Sequence, residues 1–529
     1  MDKKQNILKW YPFEEGATVL EIYDEYSIME NISNKIELEK TSIQELNIQG
    51  EYDYITLIGT FEYAPTIIKE EKSYSGLLRK LKEYLKPNGK ILLAVDNRIG
   101  VKYLVGGKSK YYNYIFEGIE SEIRNNKPNL LLKSDIEKFI EEAKFENYKF
   151  YYPLPDYRNT TTIFTDEFLP KSNHSKIVYP VTYEDSSIVV YNEVNMIKQI
   201  CDNSDFPNFT NSYLVEISNA KIENDIKFVN YNIFRKDKYK LILTMKKDSV
   251  EKIADNNQAK EHINKIEQYI EKLRNLDFEV IENVKQERIQ SDYIDAEELD
   301  KKLVNLIKHG NIEDAYEQIN NWYEFIKQRL EKEPAEGEDV FEKYKIEVPN
   351  EIKEKMQFVK NGYIDLSFEN IFCKDDKYLF YDQEWYIENI PLEFILYRAF
   401  NNLYAYNNSK LEQKISKEEM FEKYNLTELL EYFEQLEKQI QSEILDEVAV
   451  KNYREENKNY YKNLEKMYEK SKKRKKDYLE LEQEFIKLKT EKENIEKNYN
   501  ELLNEYNTSR GWKIIKGFRK LLGKEKRIK

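Results

Sequence analysis

Two carboxylates and an amide stand close together in the stretch GYIDLSFENIFCKDDKYLFYDQEW, residues 362–385. Asp365 is followed by Asn370 and then by Asp382, each set between apolar residues. Phosphoryl transfer uses one carboxylate to orient the acceptor hydroxyl, and an amide and a second carboxylate to hold Mg²⁺ on nucleotide phosphates. The spacing therefore predicts a phosphoryl-transfer site. The alternative is that Asp365 and Asn370 cap turns and Asp382 ends a strand.

The order of these residues resembles the small-molecule and antibiotic kinases of the protein-kinase-like fold, in which an Asp-x-x-x-x-Asn loop precedes a further Asp. The resemblance implies that Asp365 is the catalytic base, that Asn370 and Asp382 bind the metal, and that the ligands are ATP and Mg²⁺. In SVEKIADNNQAKEHINKIEQYI it implies a phosphate-facing Lys252 on a strand. It also implies a partner for that lysine, Glu261, on the helix that follows.

Two nearby segments bear on the same resemblance. RIQSDYIDAEELDKKL is similar to the hinge of these kinases, and it implies that adenine bonds to the backbone near Ser291 to Tyr293. FVNYNIFRKDKYKL takes the place of the loop that covers the phosphates, but it contains no glycine. Because glycine lets such a loop approach the phosphates closely, its absence leaves open whether the site transfers phosphate.

Short β-rich runs alternate with helical periods over residues 1–170, which is typical of an α/β domain with a mostly parallel sheet. VLEI and LKPNGKILLAVDN are similar to the first strand and to the helix, turn and fifth strand of class I S-adenosylmethionine-dependent methyltransferases. The resemblance implies S-adenosylmethionine as cofactor, with Glu21, Glu37 and Glu62 as candidate pocket residues. Glu37 lies in KIELEK, which fits the second strand of that fold or the third.

After the first strand, these methyltransferases have a Gly-x-Gly-x-Gly turn that lets the backbone approach the cofactor. This chain reads EIYDEYS there and has no glycine. We therefore expect a domain that keeps the fold and has lost or weakened cofactor binding. Glu21 and Glu62 have the alternative of being solvated acids at strand ends.

Residues 452–508 contain neither glycine nor proline. Alternate steps of four and three residues from Tyr460 to Tyr506 meet fourteen positions, of which eleven are apolar or aromatic. This heptad pattern predicts a coiled coil and therefore a homo-oligomer. A single amphipathic helix packed on the rest of the protein is the alternative.

The last segment, residues 509–529, contains nine Lys or Arg and one acid. Apolar and basic side chains share a helical repeat in SRGWKIIKGFRKLLG, and this pattern predicts binding in the plane of an anionic membrane. A helix that packs on a partner protein is the alternative. The residues expected to meet the membrane are Trp512, Lys513, Lys516, Phe518, Arg519 and Lys520.

Composition excludes several other classes of protein. The formal net charge of −14 argues against general nucleic-acid binding, which depends on a basic surface. Two distant cysteines and three histidines leave no disulfide framework and no cysteine zinc site. No run of eighteen apolar residues occurs, so the sequence predicts a soluble, cytoplasmic protein.

In combination, the order of these segments resembles the bifunctional kinase–methyltransferases that terminate bacterial O-antigen polysaccharides. We therefore expect a multidomain chain, with a degenerate class I methyltransferase-like α/β domain (1–170), an α+β protein-kinase-like domain similar to aminoglycoside phosphotransferases (171–448), a coiled coil (449–508) and a basic amphipathic tail (509–529).

The resemblance implies a transferase of cell-surface polysaccharide assembly that is peripheral at the inner face of the plasma membrane. Its partners would be a lipid-linked glycan and glycosyltransferases. The alternative is a non-catalytic scaffold that uses the coiled coil and the tail to hold glycosyltransferases at the membrane.

Overall fold

A computed structural model describes residues 5–24, 27–32, 36–46, 48–69, 72–171, 188–332, 337–458 and 464–523 of the chain. The chain divides into two compact units, residues 1–460 and residues 461–529. Among the described residues, no helix combines the length and the apolar character needed to cross a membrane.

One large sheet runs through the first unit. In its order the strands are β11-β12-β10-β9-β8-β6-β5-β7-β4-β3-β1-β2. Their bounds are β1 Thr18–Tyr23, β2 Glu37–Ser42, β3 Tyr52–Ile58, β4 Leu85–Asp96, β5 Asn147–Leu154, β6 Thr162–Thr165, β7 Ser212–Ser218, β8 Phe228–Tyr231, β9 Leu241–Met245, β10 Ser249–Ala254, β11 Asn283–Lys285 and β12 Arg288–Asp292.

The strands β2, β1, β3 and β4 are parallel, as the alternation of strands and helices in the first region predicts. The central residues of β1, β3 and β4 are almost wholly buried, because helices cover a parallel sheet on its faces. The order of strands reverses between β1 and β3, and ligands of open α/β sheets bind beyond the carboxyl ends of the strands at such a point. The helices of this region are α1 Asn6–Lys9, α2 Ala64–Ile67, α3 Ser73–Lys82, α4 Val101–Leu104, α5 Glu117–Glu120, α6 Lys133–Glu142, α7 Glu193–Asp202 and α8 Phe206–Phe209.

The sheet of the first region takes a strand from beyond residue 170. β7 pairs antiparallel with β4 on one side and with β5 on the other. β2 pairs directly with β1, so KIELEK holds the place of the second strand, not the third. Glu37 is the first residue of that strand, so it lies at the amino end, opposite to the carboxyl end beyond which ligands bind.

Five antiparallel strands, β8 to β12, continue the same sheet through the pairing of β6 with β8. Their spatial order is β8-β9-β10-β12-β11, and the helix α9, Lys260–Asn275, connects β10 to β11. The apolar side of α9, including Ile263 and Ile270, is buried in a core that is separate from the core under β1 to β4.

The remainder of the first unit is mostly helical, with two small sheets. The strands of these sheets are β13 Glu297–Glu298, β14 Phe358–Tyr363, β15 Ile371–Lys374, β16 Lys377–Phe380 and β17 Tyr386–Pro391. The helices are α10 Leu299–Lys308, α11 Ile312–Arg329, α12 Val340–Lys343, α13 Asn350–Lys353, α14 Leu392–Leu411, α15 Lys417–Lys423, α16 Leu430–Ile444 and α17 Glu447–Lys458.

Within its described residues, 464–523, the second unit contains two helices, α18 Leu464–Thr508 and α19 Arg510–Leu521. Large apolar side chains of α18 are exposed in the single chain, among them Phe485 at 67% and Ile495 at 68%. The long helix is therefore as the heptad pattern predicts, and its association with a second copy remains a prediction.

Candidate functional site

A buried cluster of charged side chains lies where the five-stranded antiparallel part of the sheet meets the segment after β16. Lys252 projects from β10 and is 7% exposed. Its ammonium nitrogen contacts a carboxylate oxygen of Asp382, lies 2.9 Å from Glu282 Oε1, and lies 3.5 Å from Glu384 Oε1. Burial disfavours the charged amine, but these three carboxylates outweigh it and hold the pKa of Lys252 well above its usual value.

Asp382 follows the hairpin of β15 and β16 and adopts a positive φ of 58°. Its backbone N–H donates to Glu282 Oε2 at 2.7 Å, which ties the segment to the start of β11. Burial raises the pKa of the Asp382 carboxyl to about 6, while Lys252 acts in the opposite direction and Glu384 adds to the rise. Asp382 is thus brought to Lys252 across 130 residues of sequence.

The loop after β14 contains Asp365 and Asn370. Oδ2 of Asp365 accepts the backbone N–H groups of Glu384 and Trp385, both at 3.0 Å, and Oδ1 lies 3.7 Å from the Arg398 guanidinium. Burial raises the pKa of Asp365 to about 8, although Arg398 opposes the rise. The amide nitrogen of Asn370 donates to the carbonyl oxygen of Asp365 at 3.0 Å, so its amide oxygen is the atom that remains for a cation.

The same hydrogen bonds also fit the alternative in which Asp365 caps a turn, because its carboxylate accepts the two N–H groups of the turn at residues 384–385. Arg398, on α14, donates two hydrogen bonds to Glu437 at 2.7 and 2.8 Å, as expected of an arginine that pairs with an acid for structural reasons.

Glu384 is the most deeply enclosed acid of the cluster, at 3% exposure. Its Oε2 forms an ion pair with Arg235, and His262 Nε2 lies 3.7 Å from the same oxygen. Burial disfavours its charge, but Arg235 and Lys252 dominate and hold the pKa of Glu384 well below its usual value. The His262 ring stacks on Trp385 with 4.8 Å between centroids.

Arg235 belongs to the loop between β8 and β9, where the sequence lacks the expected glycines. Backbone hydrogen bonds hold this loop against the start of α17. The N–H of Lys236 donates to Ile444 O at 2.9 Å, and the N–H of Asp446 donates to Phe234 O at 2.8 Å. Sequence reasoning missed Arg235, Glu282 and Glu384, because their partners lie far away in the chain.

The predicted partner of Lys252 is different in the structure. Glu261 is exposed on the first turn of α9 and pairs with Lys265 at 2.8 Å, so Glu282 takes the place expected of it. Ser291 lies in β12 opposite Val250, and the Tyr293 N–H already donates to Asp248 O at 2.9 Å. The Tyr293 N–H is therefore already occupied and does not donate the hydrogen bond predicted to adenine.

The carboxyl ends of the parallel strands form a second polar cluster. Glu62, just after β3, is fully buried; its Oε1 accepts the Asp96 N–H at 3.1 Å, and its Oε2 accepts no hydrogen bond from the part of the chain that the structure describes. Burial raises the pKa of Glu62 to about 7, and Asp96 adds to the rise. Asp96 in turn binds both terminal nitrogens of Arg158, at 2.9 and 2.7 Å.

The residues at this edge do not fit S-adenosylmethionine. Glu21 accepts the backbone N–H groups of Ile28 and Met29 at 2.5 and 3.1 Å, so the segment after β1 bonds to the chain itself. Gly59 has a φ of +73°, and a Cβ there would lie 3.0 Å from Cζ of Tyr157 and closer still to its hydroxyl oxygen. The glycine at the end of β3 therefore allows a buried tyrosine of the same chain to pack against the backbone. Glu37, exposed at the opposite end of β2, cannot serve as the ribose acid.

All six residues predicted to meet a membrane lie on α19, where five are exposed and Trp512 is partly covered by Tyr506 at 4.5 Å between ring centroids. Ile514, Ile515 and Phe518 are also exposed, at 62%, 49% and 65%. Residues 524–529 of the predicted tail lie outside the described residues. The groups of His, Cys, Asp and Glu within the described ranges include none arranged to hold a metal ion by themselves.

No family model matches the chain, and no curated protein matches it. Several of the solved structures similar to part of the chain are S-adenosylmethionine-dependent methyltransferases. One from Thermotoga maritima has 11% identity and a TM-score of 0.22, and covers 41% of this chain and 88% of its own. One from Archaeoglobus fulgidus has 12% identity and a TM-score of 0.23, and covers 40% and 91%.

The phosphoethanolamine N-methyltransferase 2 of Haemonchus contortus, solved with S-adenosyl-L-methionine, has 12% identity and a TM-score of 0.23. It covers 41% of this chain and 52% of its own length.

Proposed function

We propose that the chain is a transferase whose Lys252 cluster binds ATP with Mg²⁺ and transfers a phosphoryl group to a hydroxyl acceptor. The observation that supports this most directly is the contact between Lys252 and Asp382 across 130 residues of sequence. The kinase resemblance implies a phosphate-facing lysine on a strand and a metal-binding aspartate after the hairpin, and these two residues are in contact.

The charge of the cluster favours a divalent cation. With all four carboxylates ionised against two cations, the cluster would carry two negative charges in a largely buried space, and burial, with the neighbouring carboxylates adding to it, raises the pKa of both Asp365 and Asp382. A bound Mg²⁺ neutralises such an excess and stabilises negative charge on transferring phosphates. The groups counted are Asp365, Asp382, Glu282 and Glu384 against Lys252 and Arg235, with Arg398 matched by Glu437.

Each residue then has one proposed task. Asp382 and the amide oxygen of Asn370 would hold the cation, and Lys252 would stabilise negative charge on the nucleotide phosphates. Two backbone N–H groups orient Asp365 through Oδ2, so Oδ1 is the oxygen that accepts the proton of the acceptor hydroxyl. A pKa of about 8 suits this task, because proton acceptance is most effective near the working pH.

A glycan hydroxyl on a lipid carrier is the acceptor that the order of the segments implies. The exposed apolar and basic side chains of α19 are compatible with a protein that works at an anionic membrane surface, where each basic residue contributes about 1 kcal/mol. S-adenosylmethionine has no part in this proposal, because the chain fills the edge where it would bind.

Titration calorimetry with ATP and Mg²⁺ tests the proposal. We expect binding by the natural chain and a loss of at least tenfold in affinity in Asp382→Asn. Asp376→Asn is the matched control, because Asp376 has a φ of 58° like Asp382 but lies exposed at the tip of the same hairpin. Absence of ATP binding by the natural chain, or an equal loss of ATP affinity in both variants, would refute the proposal.

A non-catalytic scaffold is the second candidate, and Arg235 is the observation that favours it. Its guanidinium neutralises Glu384 from within the chain, at the place where the phosphate-covering loop is expected.

A scaffold would use the exposed stripe of α18 to oligomerise and α19 to bind lipid. We expect Phe485→Glu with Ile495→Glu to give monomers in sedimentation equilibrium, and removal of residues 509–529 to abolish flotation with phosphatidylserine vesicles. Unchanged mass and unchanged flotation would leave this candidate without support.

A further inference from the structure

A cavity of about 280 Å³ lies in the first unit, and none of the charged residues of the Lys252 cluster lines it. Its walls are the start of α1, the segment that leaves β8, and the first turns of α17. The residues that bear on its chemistry are Asn6, Asn232, Phe234, Asp446, Asn452 and Tyr453. Sites for drug-sized ligands hold about 300–1,000 Å³, so this cavity suits a molecule of one ring.

The charged groups of the lining are already paired within the protein. Lys240 bonds to Asp237 at 2.7 Å, and Asp255 bonds to Lys9 at 2.6 Å. Asp446 accepts the backbone N–H groups of Val448 and Ala449, both at 3.1 Å, and so caps α17. A charged ligand therefore finds no uncompensated partner here, and a neutral ligand avoids the cost of stripping an ion of its water.

Amides and aromatic rings are what the cavity offers to a ligand. The amide nitrogen of Asn6 is held by Thr160 O at 2.9 Å, which leaves its oxygen as an acceptor. Asn232 and Asn452 add amides, each of which both donates and accepts. The rings of Phe234 and Tyr453, 4.9 Å apart, form an apolar wall. A sugar ring has hydroxyls at its edge, which amides bind in pairs, and C–H groups on its faces, which pack against aromatic rings. The lining of this cavity offers both kinds of contact.

The same cavity wall carries Arg235. Residues 231–234 line the cavity, and Arg235 follows directly and reaches Glu384. The opposite wall, α17, is joined to this segment by the Asp446 N–H to Phe234 O bond at 2.8 Å. A ligand that contacts both walls binds best when they are joined, so it favours the position in which Arg235 neutralises Glu384.

We propose that this cavity binds a single neutral sugar ring, and that its occupancy holds the Arg235 loop on the charged cluster. The site is separate from the residues assigned to ATP and Mg²⁺. Its occupancy is therefore measurable whether or not the chain transfers phosphate.

Saturation-transfer NMR on the full chain tests binding, with methyl α-D-glucopyranoside, methyl α-D-mannopyranoside and N-acetyl-D-glucosamine as probes. We expect transfer to at least one sugar, reduced at least fivefold in Asn232→Ala and in Ala449→Phe, which fills the cavity without removing a hydrogen bond. Asn350→Ala, on an exposed residue elsewhere, is the matched control and keeps the signal. Thermal unfolding midpoints within 2 °C of the natural chain show that each variant is folded.

Hydrogen exchange measured by mass spectrometry tests the link to Arg235. With the bound sugar, we expect slower exchange in the peptides that contain the Lys236 and Asp446 amides, and no change in Ala449→Phe with added sugar. Several results overturn the proposal: no transfer to any of the three sugars, transfer that persists in Ala449→Phe, displacement of the sugar by inorganic phosphate, or exchange that is unchanged or faster when the sugar binds.

Discussion

Replacement of Arg235 by alanine tests how the buried charges are balanced. The change leaves Glu384 at 3% exposure with Lys252 at 3.5 Å and His262 at 3.7 Å. Removal of one member of a buried ion pair costs about 3–5 kcal/mol. Because Lys252 stays nearby, we expect the lower end, a loss of about 3 kcal/mol in the free energy of unfolding at pH 8.

The loss should depend on pH in a defined direction. In the natural chain, burial works against the Glu384 charge, and Arg235 and then Lys252 hold its pKa well below the usual value. That depressed pKa contributes stability that is present above the unfolded pKa and is lost only at very low pH. Without Arg235 the pKa rises, and Glu384 takes up a proton as the pH falls. The cost of Arg235→Ala therefore shrinks between pH 8 and pH 5.

Urea unfolding followed by circular dichroism and by tryptophan fluorescence measures the effect, with coincident curves required of the two probes. Arg288→Ala is the control, because Arg288 is 51% exposed and lies 3.6 Å from Glu251, and such surface pairs contribute about 0–1 kcal/mol. Removal of both charges, in Arg235→Met with Glu384→Gln, should restore part of the stability. A cost of Arg235→Ala below about 1 kcal/mol at pH 8, or no trend with pH, would refute the reasoning.

Two further predictions concern the carboxyl edge of the parallel strands. Gly59→Ala should lower the free energy of unfolding by about 3 kcal/mol, because the positive φ disfavours a side chain and the added Cβ would overlap Tyr157. Gly310→Ala is the control: its φ is +83° but the space around it is open, so the loss should be about 1 kcal/mol. Equal costs in thermal or urea unfolding would show that Tyr157 yields freely. Burial and Asp96 raise the Glu62 pKa to about 7, so the stability that depends on its protonation is lost as the pH rises through that value. Relative to the natural chain, Glu62→Gln should therefore gain about 2–3 kcal/mol between pH 5 and pH 9, and a constant difference would count against a buried acid.

The predictions that rested on local pattern correspond to the structure most closely. Four strands of the first region form the parallel part of a mixed sheet, in which β5 and β6 are antiparallel. The glycine-free heptad segment is one long helix from Leu464 to Thr508, while its first residues belong to α17 and residues 459–463, with the first heptad position Tyr460, lie outside the described residues. Both patterns depend on side chains a few residues apart, and backbone periodicity converts that spacing into a buried face.

The candidate sites followed the sequence only in part. The position of Lys252 on a strand and of Asp382 after a hairpin was predictable, because each depends on its own element. The pairing of Lys252 with Glu261 was not borne out: the register of α9 turns that acid to solvent beside Lys265. Glu37 does not lie where a cofactor-binding acid is expected, because β2 begins at this residue and the expected place is the carboxyl end of the strand.

The sequence by itself determined the elements, the heptad helix, the basic amphipathic end and the absence of a glycine-rich turn. Only the tertiary structure decided which charges meet: Glu282, Glu384 and Arg235 around Lys252, and Tyr157 against Gly59. The physical reason is that side-chain periodicity is local, whereas these contacts join segments separated by up to 149 residues. Their energy comes from shared burial, which exists only after the strands and helices have packed together.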